Sequence, residues 1–407
     1  MKYMLVFLAF CCFACILTAS QEGQAASSGK AVSEIKQDSS AKKAGGPIVR
    51  RIEWEKIKLD DGAYESAGVF DVNNDGKLDI VCGGSWYEAP NWTKHKLRDV
   101  LAADEYFDDF STIPMDVNGD GYMDFVTGGW WGQALQWCEN PKGKPVEWTT
   151  HEIAKTGSIE TTRGWDVDGD GQIEIVPNTP GNPLRVYKLE KGAFKEYVIS
   201  KEPQGHGLGF GDVLGNGKGC FITPSGWWEP MGDPLTGEWK FHQEFSFGSA
   251  SVPMIAADVN GDGVNEIIVG QAHNYGLDYY TPKTNADGTR TWTKHPIDPW
   301  FSQYHEMIWV DIDGDGENEL VTGNRFRAHC GHEPGETDIC GLFYFKWNGE
   351  SFTKCVIDYG KKGEASGTGI FMWIGDIDGN GKLDIVAPGK EGLYIFKNLG
   401  PEQVGVK

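Results

Sequence analysis

Basic side chains are scarce in this 407-residue chain. Lys and Arg together number 37 against 59 Asp and Glu, which gives a formal net charge of −22. This excess of negative charge argues against nucleic acid as a partner, because phosphate binding depends on clustered Lys and Arg. The sequence also lacks a nucleophile motif, a phosphate-binding loop and a nucleotide fingerprint, so hydrolase and kinase functions find no support in it. After the first 20 residues, no run is long and apolar enough to span a membrane.

The most apolar stretch of the chain lies at its N-terminus. A run from Met4 to Leu17 is followed by small residues, which predicts a signal peptide at 1–20 and export to the periplasm or the extracellular space. We expect simple cleavage rather than lipid anchoring at Cys15, because the residues before it fit a lipobox badly. Residues 21–47 are rich in Ser, Ala, Gly, Lys and Gln, which predicts a disordered leader or tether before a single domain at 48–402.

A nine-residue acidic motif recurs along this domain. In Asp311-Ile-Asp-Gly-Asp-Gly-Glu-Asn-Glu319, carboxylates occupy positions 1, 3, 5 and 9, and a Gly at position 6 permits a sharp turn. Oxygen ligands at alternate positions are typical of calcium loops, so six copies predict about six structural calcium ions. The predicted ligands are Asp71, Asn73, Asp75, Asp79, Asp116, Asn118, Asp120, Asp124, Asp166, Asp168, Asp170, Glu174, Asp258, Asn260, Asp262, Glu266, Asp311, Asp313, Asp315, Glu319, Asp376, Asp378, Asn380 and Asp384.

The spacing of the motif predicts the fold. A seventh copy at Asp212 has Leu214 and Cys220 at ligand positions, so we expect it to bind calcium poorly or not at all. The seven leading Asp residues are 45 to 65 residues apart, a period typical of repeat proteins. Each repeat but the last ends in an alternating segment that resembles an outer strand, and one spare copy precedes the first motif. We therefore predict an all-β, seven-bladed β-propeller closed by the N-terminal strand.

Two resemblances rest on these residues. Through its Asp-x-Asp/Asn-x-Asp-Gly loops, the chain resembles the FG-GAP/VCBS repeat family over about residues 50–400, whose propellers carry calcium. Further stretches resemble the propeller of aldos-2-ulose dehydratase-like proteins, which eliminate water from oxidised sugars such as anhydrofructose. This second resemblance implies a carbohydrate substrate and β-elimination or isomerisation chemistry. The stretches that carry it are Gly205–Asp212, Gly226–Pro230, Ser302–His305, Thr322–Arg325 and Ala328-His329.

The repeat also indicates which residues share one end of the central channel. A strand of about six residues places the position six before each leading Asp at the channel mouth, away from the acidic loops. Crowding two His and two Glu at one mouth costs free energy through desolvation and charge repulsion, unless these side chains bind a ligand or an ion. In blade order, these positions are Glu65, Phe110, Glu160, His206, Val252, His305 and Ile370.

The mouth residues support two chemical hypotheses. His206 and His305 are candidates for the base and acid of an elimination, or for ligands to one divalent transition metal such as zinc, manganese or iron. Glu65 and Glu160 would complete such a metal site. Arg325 would face a carboxylate or the enolate oxygen. Tyr275, on a loop returning to the same face, is an alternative acid.

Loops that return to the mouth supply candidate carbohydrate-binding residues. These are Trp86, Trp131, Trp227, Glu229, His273, His329 and Lys390. The Trp residues would equally serve packing within the blades. The His residues of the outer-strand repeat are expected to be surface decoration; they are His95, His151, His242 and His295. The function predicted is an exported carbohydrate lyase or dehydratase, and the alternative is a non-catalytic glycan- or protein-binding propeller.

Overall fold

The structure, a computed structural model, describes residues 51–402. Within that range the chain is all β, with no helix and with seven antiparallel sheets of four strands each. The arrangement is the seven-bladed β-propeller that the repeat predicts. The predicted signal peptide at 1–20 and leader at 21–47 lie outside the described residues and stay predictions. A search of the described part for a helix of membrane-spanning length and hydropathy finds none.

The first three blades follow one another along the chain, and each runs from its innermost to its outermost strand. Blade one contains Ala67–Phe70, Asp79–Cys82, Ser85–Glu88 and Thr93–Lys96. A two-stranded ribbon, Ala102–Ala103 with Tyr106–Phe107, lies between blades one and two in the chain. Blade two contains Ile113–Met115, Asp124–Gly128, Ala134–Glu139 and Thr149–Lys155, and blade three contains Thr161–Trp165, Glu174–Asn178, Pro183–Glu190 and Ala193–Pro203.

The remaining blades keep the same order, except that the last one combines both ends of the domain. Blade four contains Gly209–Gly211, Cys220–Thr223, Gly226–Pro230 and Trp239–His242, and blade five contains Ile255–Ala257, Glu266–Gly270, Tyr275–Thr284 and Arg290–Ser302. Blade six contains Met307–Val310, Glu319–Gly323, Cys340–Trp347 and Phe352–Gly360. Blade seven contains Trp373–Gly375, Asp384–Ala387, Leu393–Pro401 and, paired antiparallel with the last of these, Ile52–Asp60.

Burial falls from the first strand to the fourth strand of a blade. In blade one, Ala67–Phe70 and Asp79–Cys82 are buried throughout, whereas Thr93–Lys96 is mostly exposed. Apolar side chains of adjacent blades fill the space between sheets, as where Phe70 of blade one and Phe125 of blade two share one cluster. Because each acidic loop joins the first strand to the second, the residues before every first strand lie at the opposite end of the ring.

A buried ion pair links several blades at the centre of the ring. Arg163, on the first strand of blade three, contacts both carboxylate oxygens of Glu306, which precedes the first strand of blade six. The same guanidinium also donates to the backbone carbonyls of Val252 and Ile370, which precede blades five and seven. Burial raises the pKa of Glu306 to about 7, against the opposing effect of Arg163. One side chain therefore joins four blades.

This ion pair gives a test of how the ring is held together. Arg163→Leu leaves the Glu306 carboxylate buried without its partner, so we expect a loss of about 3–5 kcal/mol in the free energy of unfolding. The double variant Arg163→Leu/Glu306→Leu removes the orphaned charge and should recover most of that loss. Denaturant unfolding at neutral pH measures both. A double variant no more stable than the single one would contradict the account.

Candidate functional site

Three imidazole rings converge at the channel mouth. His206 precedes the first strand of blade four, His305 precedes that of blade six, and His273 follows the second strand of blade five. The ring centroid of His206 lies 4.2 Å from that of His273 and 5.3 Å from that of His305, and the remaining pair is 5.6 Å apart. Each ring offers one nitrogen within 4.8 Å of a nitrogen on the other two. This spacing allows one ion to reach all three.

The outer nitrogens of two of these rings are held by neighbouring oxygens. His206 Nδ1 lies 2.9 Å from the carbonyl oxygen of Ala250. His273 Nδ1 lies 2.9 Å from both carboxylate oxygens of Glu333. A proton held on Nδ1 in this way leaves the Nε2 lone pair free, which is the usual arrangement of histidine ligands to a metal. His206 Nε2 is buried and faces Glu160, whose Oε1 lies 3.2 Å away.

A buried network of charged groups lies beside the three rings. Glu160 Oε1 is 3.2 Å from His206 Nε2 and 3.7 Å from His305 Nε2. Arg325 binds Glu65 through Nε at 2.7 Å and through a second nitrogen at 3.2 Å. The remaining nitrogen, Nη1, lies 3.4 Å from His305 Nε2 and 3.7 Å from Glu160 Oε1. The structure thus brings together Glu65, Glu160, His206 and His305, which the repeat places at the mouth, with Arg325 from a loop that returns to it.

The environment of the mouth shifts the pKa values of its His residues in opposite directions. Burial lowers the pKa of His305 well below its usual range, and the Arg325 guanidinium adds to this effect. Burial and Arg325 likewise lower the pKa of His329 to about 4. Burial favours the neutral ring of His206 too, but Glu160 outweighs it and raises the pKa of His206. Burial opposes the ionisation of Glu160, yet His206 and Arg325 outweigh it and lower the pKa of Glu160 to about 2.

A pocket of about 230 Å³ opens onto this network. Aromatic side chains form its walls, and Glu160, Arg325 and His329 supply its polar groups. The volume lies below the roughly 300–1,000 Å³ of pockets that take drug-sized ligands, so it suits a ligand the size of one sugar ring. Polar groups facing apolar aromatic surface are the combination that binds a sugar. The aromatic wall is Tyr106, Phe110, Trp130 and Trp131.

The insertion between the second and third strands of blade six reaches across the mouth to the loop before blade two. Arg327 pairs with Glu105, and the Tyr106 hydroxyl donates to the carbonyl oxygen of Ala328 at 2.7 Å. Lys390 Nζ donates to the carbonyl oxygen of Arg327 at 2.7 Å and lies 3.7 Å from the centroid of the Tyr106 ring. Lys390 is 4% exposed, and its ammonium holds the insertion in place. This contact differs from the substrate-binding role predicted for it.

The structure contradicts three predicted substrate-binding residues. Trp86 and Trp227 are each 1% exposed and pack between their own blade and the next one. Each stacks on the outer-strand His directly opposite it, with the Trp227 and His242 ring centroids 4.0 Å apart. Glu229 lies 2.8 Å from His242 Nε2 rather than at the mouth. The physical reason is that cross-strand neighbours on one face of a sheet pack against each other.

The same stack recurs around the ring, so the expectation that the outer-strand His residues are surface decoration is also wrong. An aromatic ring on the third strand lies over a His ring on the fourth strand in four blades, with centroids 4.0 to 4.7 Å apart. The ring pairs are Trp86–His95, Trp137–His151, Trp227–His242 and Tyr279–His295.

Other predicted residues divide between the mouth and its surroundings. Trp131 lines the pocket and is 36% exposed, and His329 lies at the same pocket. Tyr275 is exposed, and its hydroxyl donates to Asp338 at 2.7 Å. It thus contacts the insertion rather than the rings, which contradicts its assignment as a catalytic acid. Glu333, which contacts His273, is absent from the sequence prediction, although its position four residues after His329 in a His-containing insertion is a usable signal.

At the other end of the ring, each acidic loop is closed by its leading Asp. In all seven repeats, Oδ2 of that residue accepts the backbone N–H of the Gly at position 6, at 2.6 to 3.0 Å. The loop at Asp212 keeps this bond despite its missing ligands. In blade one, burial and the neighbouring carboxylates raise the pKa of Asp79 to about 6. A cation would relieve that concentration of charge, so the residues fit calcium.

Comparisons with known proteins give the fold and little more. No family model matches the chain. Human BBSome complex member BBS2 is 26% identical over 208 residues, which is 50% of this chain and 25% of that protein. The BBS1N chain solved in complex with ARL6DN covers 88% of this chain and 100% of its own length, at 11% identity and a TM-score of 0.50. A lectin of Agrocybe aegerita, whose structure concerns recognition of non-reducing terminal N-acetylglucosamine, covers 72% of this chain and 80% of its own, at 16% identity and a TM-score of 0.44. At these identities the likeness shows the fold alone.

The two kinds of Trp position give a testable contrast. Trp227→Ala removes a fully buried ring and should lower the free energy of unfolding by about 3–5 kcal/mol. Trp131→Ala removes a ring at the open pocket, and we expect a change within about 1 kcal/mol. Denaturant unfolding of both variants beside the wild type measures the difference. Equal losses would show that Trp131 is a packing residue and not part of an open ligand pocket.

Proposed function

We propose that the protein is an exported, carbohydrate-active propeller of the FG-GAP/VCBS type that eliminates water or an alcohol from an oxidised sugar or uronate at its channel mouth. The observation that carries this proposal is the convergence of His206, His273 and His305, with two outer nitrogens held by oxygens. The resemblance to aldos-2-ulose dehydratase-like propellers supports the same class of reaction. Glu65, which the sequence predicts as a metal ligand, is not part of the proposed site, because Arg325 binds both of its carboxylate oxygens.

The three rings would hold one divalent transition metal, with Glu160 as the nearest carboxylate. Imidazole together with carboxylate suits zinc, iron or manganese. When bound, such an ion supplies Lewis acidity toward a substrate carbonyl or carboxylate oxygen. Glu333 orients His273, and the Ala250 carbonyl orients His206, so both are positioning groups for the site.

The remaining polar groups of the pocket have separate roles in the elimination. Arg325 Nη1, which Glu65 leaves free, orients a substrate carboxylate or carbonyl. His329 Nδ1 lies 2.9 Å from Glu333 Oε2, and its Nε2 would take the α-proton. The electron pair of the broken C–H bond then forms the C=C bond, the β C–O bond breaks, and the proton that His329 has taken passes to the departing oxygen. The aromatic wall, including Trp131, holds the apolar face of the sugar ring.

The acidic loops have a structural role in this proposal. We propose calcium in the loops of blades one, two, five and seven, where the oxygen ligands are hard and the turn is closed by the leading Asp. We further infer that the pairing of Ile52–Asp60 with Leu393–Pro401 closes the ring. Closure leaves no open sheet edge to aggregate.

One observation favours a second candidate, a non-catalytic glycan-binding propeller. Trp130 and Trp131 are 39% and 36% exposed beside a pocket with polar groups, which is sufficient to bind a sugar without reaction. Under this alternative, Trp131→Ala would abolish glycan binding, whereas His206→Ala would leave it nearly intact. Substrate turnover, measured alongside binding, separates the two functions.

A metal inventory tests the site. Wild-type protein, purified and supplied with zinc, iron or manganese, should retain one transition-metal ion per chain, and His273→Ala or His305→Ala should lose it. Glu333→Gln keeps all three rings but frees His273 Nδ1, so we expect about 10–100-fold weaker metal affinity. His242→Ala is the matched control, because that ring lies in the stack of blade four; its metal content should equal that of the wild type.

The reaction is tested with the same variants. Screening keto-sugars and uronate glycans for unsaturated products that absorb in the ultraviolet should reveal turnover in wild type and His242→Ala. His329→Gln should lose turnover while it retains the metal, which separates the proposed proton acceptor from the ligands. A wild-type protein that binds no transition metal would contradict the metal site. Retained metal and bound sugar without turnover on any substrate would leave the glycan-binding alternative in its place.

A further inference from the structure

Two of the six acidic loops contain a lysine ammonium among their ligand atoms. In blade six, Lys346 Nζ lies 2.7 Å from a carboxylate oxygen of each of Asp313, Asp315 and Glu319. These are the residues at positions 3, 5 and 9 of the loop. Lys346 is 9% exposed, so its ammonium is withdrawn from solvent.

Blade three repeats this arrangement with different residues. Lys188 Nζ lies 2.6 Å from Asp168, 2.7 Å from Asp170 and 2.9 Å from Glu174. Again the three oxygens come from positions 3, 5 and 9. Blade six carries a long insertion and blade three does not. The two blades therefore reach the same geometry independently.

An ammonium in this position excludes a calcium ion. A lysine side chain donates three hydrogen bonds, and in each loop all three go to the oxygens that calcium would use. Calcium requires such oxygens at 2.3–2.6 Å, so the ion and the ammonium nitrogen would occupy nearly the same point. The two cations also repel each other, which makes joint occupancy more unfavourable still.

The seven repeats provide an internal comparison. The register places one third-strand residue beside position 9 in every blade. It is Lys188 and Lys346 in the two blades above, where loop position 3 is Asp. In the blades where position 3 is Asn, the corresponding residues carry no positive charge. They are Glu88 with Asn73, Glu139 with Asn118, and Thr281 with Asn260.

We propose that Lys188 and Lys346 are built-in counter-cations that take the place of calcium in blades three and six. The extra carboxylate at position 3, Asp168 or Asp313, is the partner of the lysine rather than a calcium ligand. Blade seven also has an Asp at position 3, Asp378, and a third-strand lysine beside position 9, Lys397. Its Nζ pairs only with Asp378, at 3.3 Å, and not with the residues at positions 5 and 9, so it does not take the place of calcium. Calcium therefore binds to four loops rather than the six that the motif alone indicates.

The consequence is that calcium supports the ring unevenly. Blades three and six supply Glu160 and His305 to the mouth, together with both members of the Arg163–Glu306 ion pair. Their loops carry the covalently attached cation, so the geometry of these two blades does not depend on the calcium concentration outside the cell. This inference concerns the acidic loops and is independent of the function proposed for the mouth.

Calcium stoichiometry tests the proposal. Wild-type protein equilibrated with calcium and then freed of unbound ions should contain four calcium ions per chain. Lys346→Met and Lys188→Met keep the unbranched side chain up to one atom short of the ammonium and remove the charge, so each should gain one calcium ion. Each should also show a larger fall in melting temperature than the wild type when a calcium chelator is added. Lys142→Met is the matched control, since this exposed lysine lies 3.5 Å from Asp120 on the loop of blade two; its calcium content should not change.

A reciprocal variant keeps the test decisive if a lysine variant fails to fold. Asn73→Asp/Glu88→Lys transfers the pair from blades three and six to blade one, and it should lose one calcium ion. Six calcium ions in the wild type, with Lys346→Met unchanged, would overturn the proposal, because the lysines would then move aside for the metal. Retention of the wild-type count by the reciprocal variant would overturn it as well.

Discussion

Every blade depends on one side chain that hydrogen-bonds to the backbone of its own turn. The leading Asp of each acidic loop accepts the N–H of the Gly at position 6, and this closes the connection between the first two strands. The blade four loop, which lacks two ligands, keeps this bond at Asp212. The turn is therefore the common element, and the cation that we propose to neutralise it varies between blades. Because all seven turns lie at one end of the ring, the loops at the other end are free to build a site.

The mouth illustrates how such a scaffold can hold charged groups at close range. Arg325 neutralises Glu65 through two contacts, and Glu160 lies between two imidazole rings. Burial would penalise each of these groups alone, and only their mutual compensation makes the cluster tolerable. Unpaired nitrogens then remain on rings that are already oriented. A metal and a small polar ligand would satisfy them, which is why the proposed chemistry is assigned to this end.

The sequence pattern predicts most of the fold but only part of the site. The acidic period gives seven blades, and counting back from each leading Asp places Glu160, His206 and His305 together, because those positions follow strand geometry. Trp86 and Trp227 lie in a different environment from the predicted one, since the partner of a strand residue depends on cross-strand register and not on the period. Glu333 and Lys346 lie outside the reach of the sequence pattern for another reason. They depend on loops and insertions without a period, and Lys346 lies 27 residues after the loop position that it contacts.

Anomalous X-ray diffraction from crystals of the protein supplied with zinc, iron and manganese addresses the central claim most directly. Data collected on either side of each absorption edge locate a transition metal and identify it without reference to activity. The account predicts one strong anomalous peak at the channel mouth, within bonding distance of His206, His273 and His305. A mouth without a peak at any of the three edges, or a peak bound only by other residues, would contradict it.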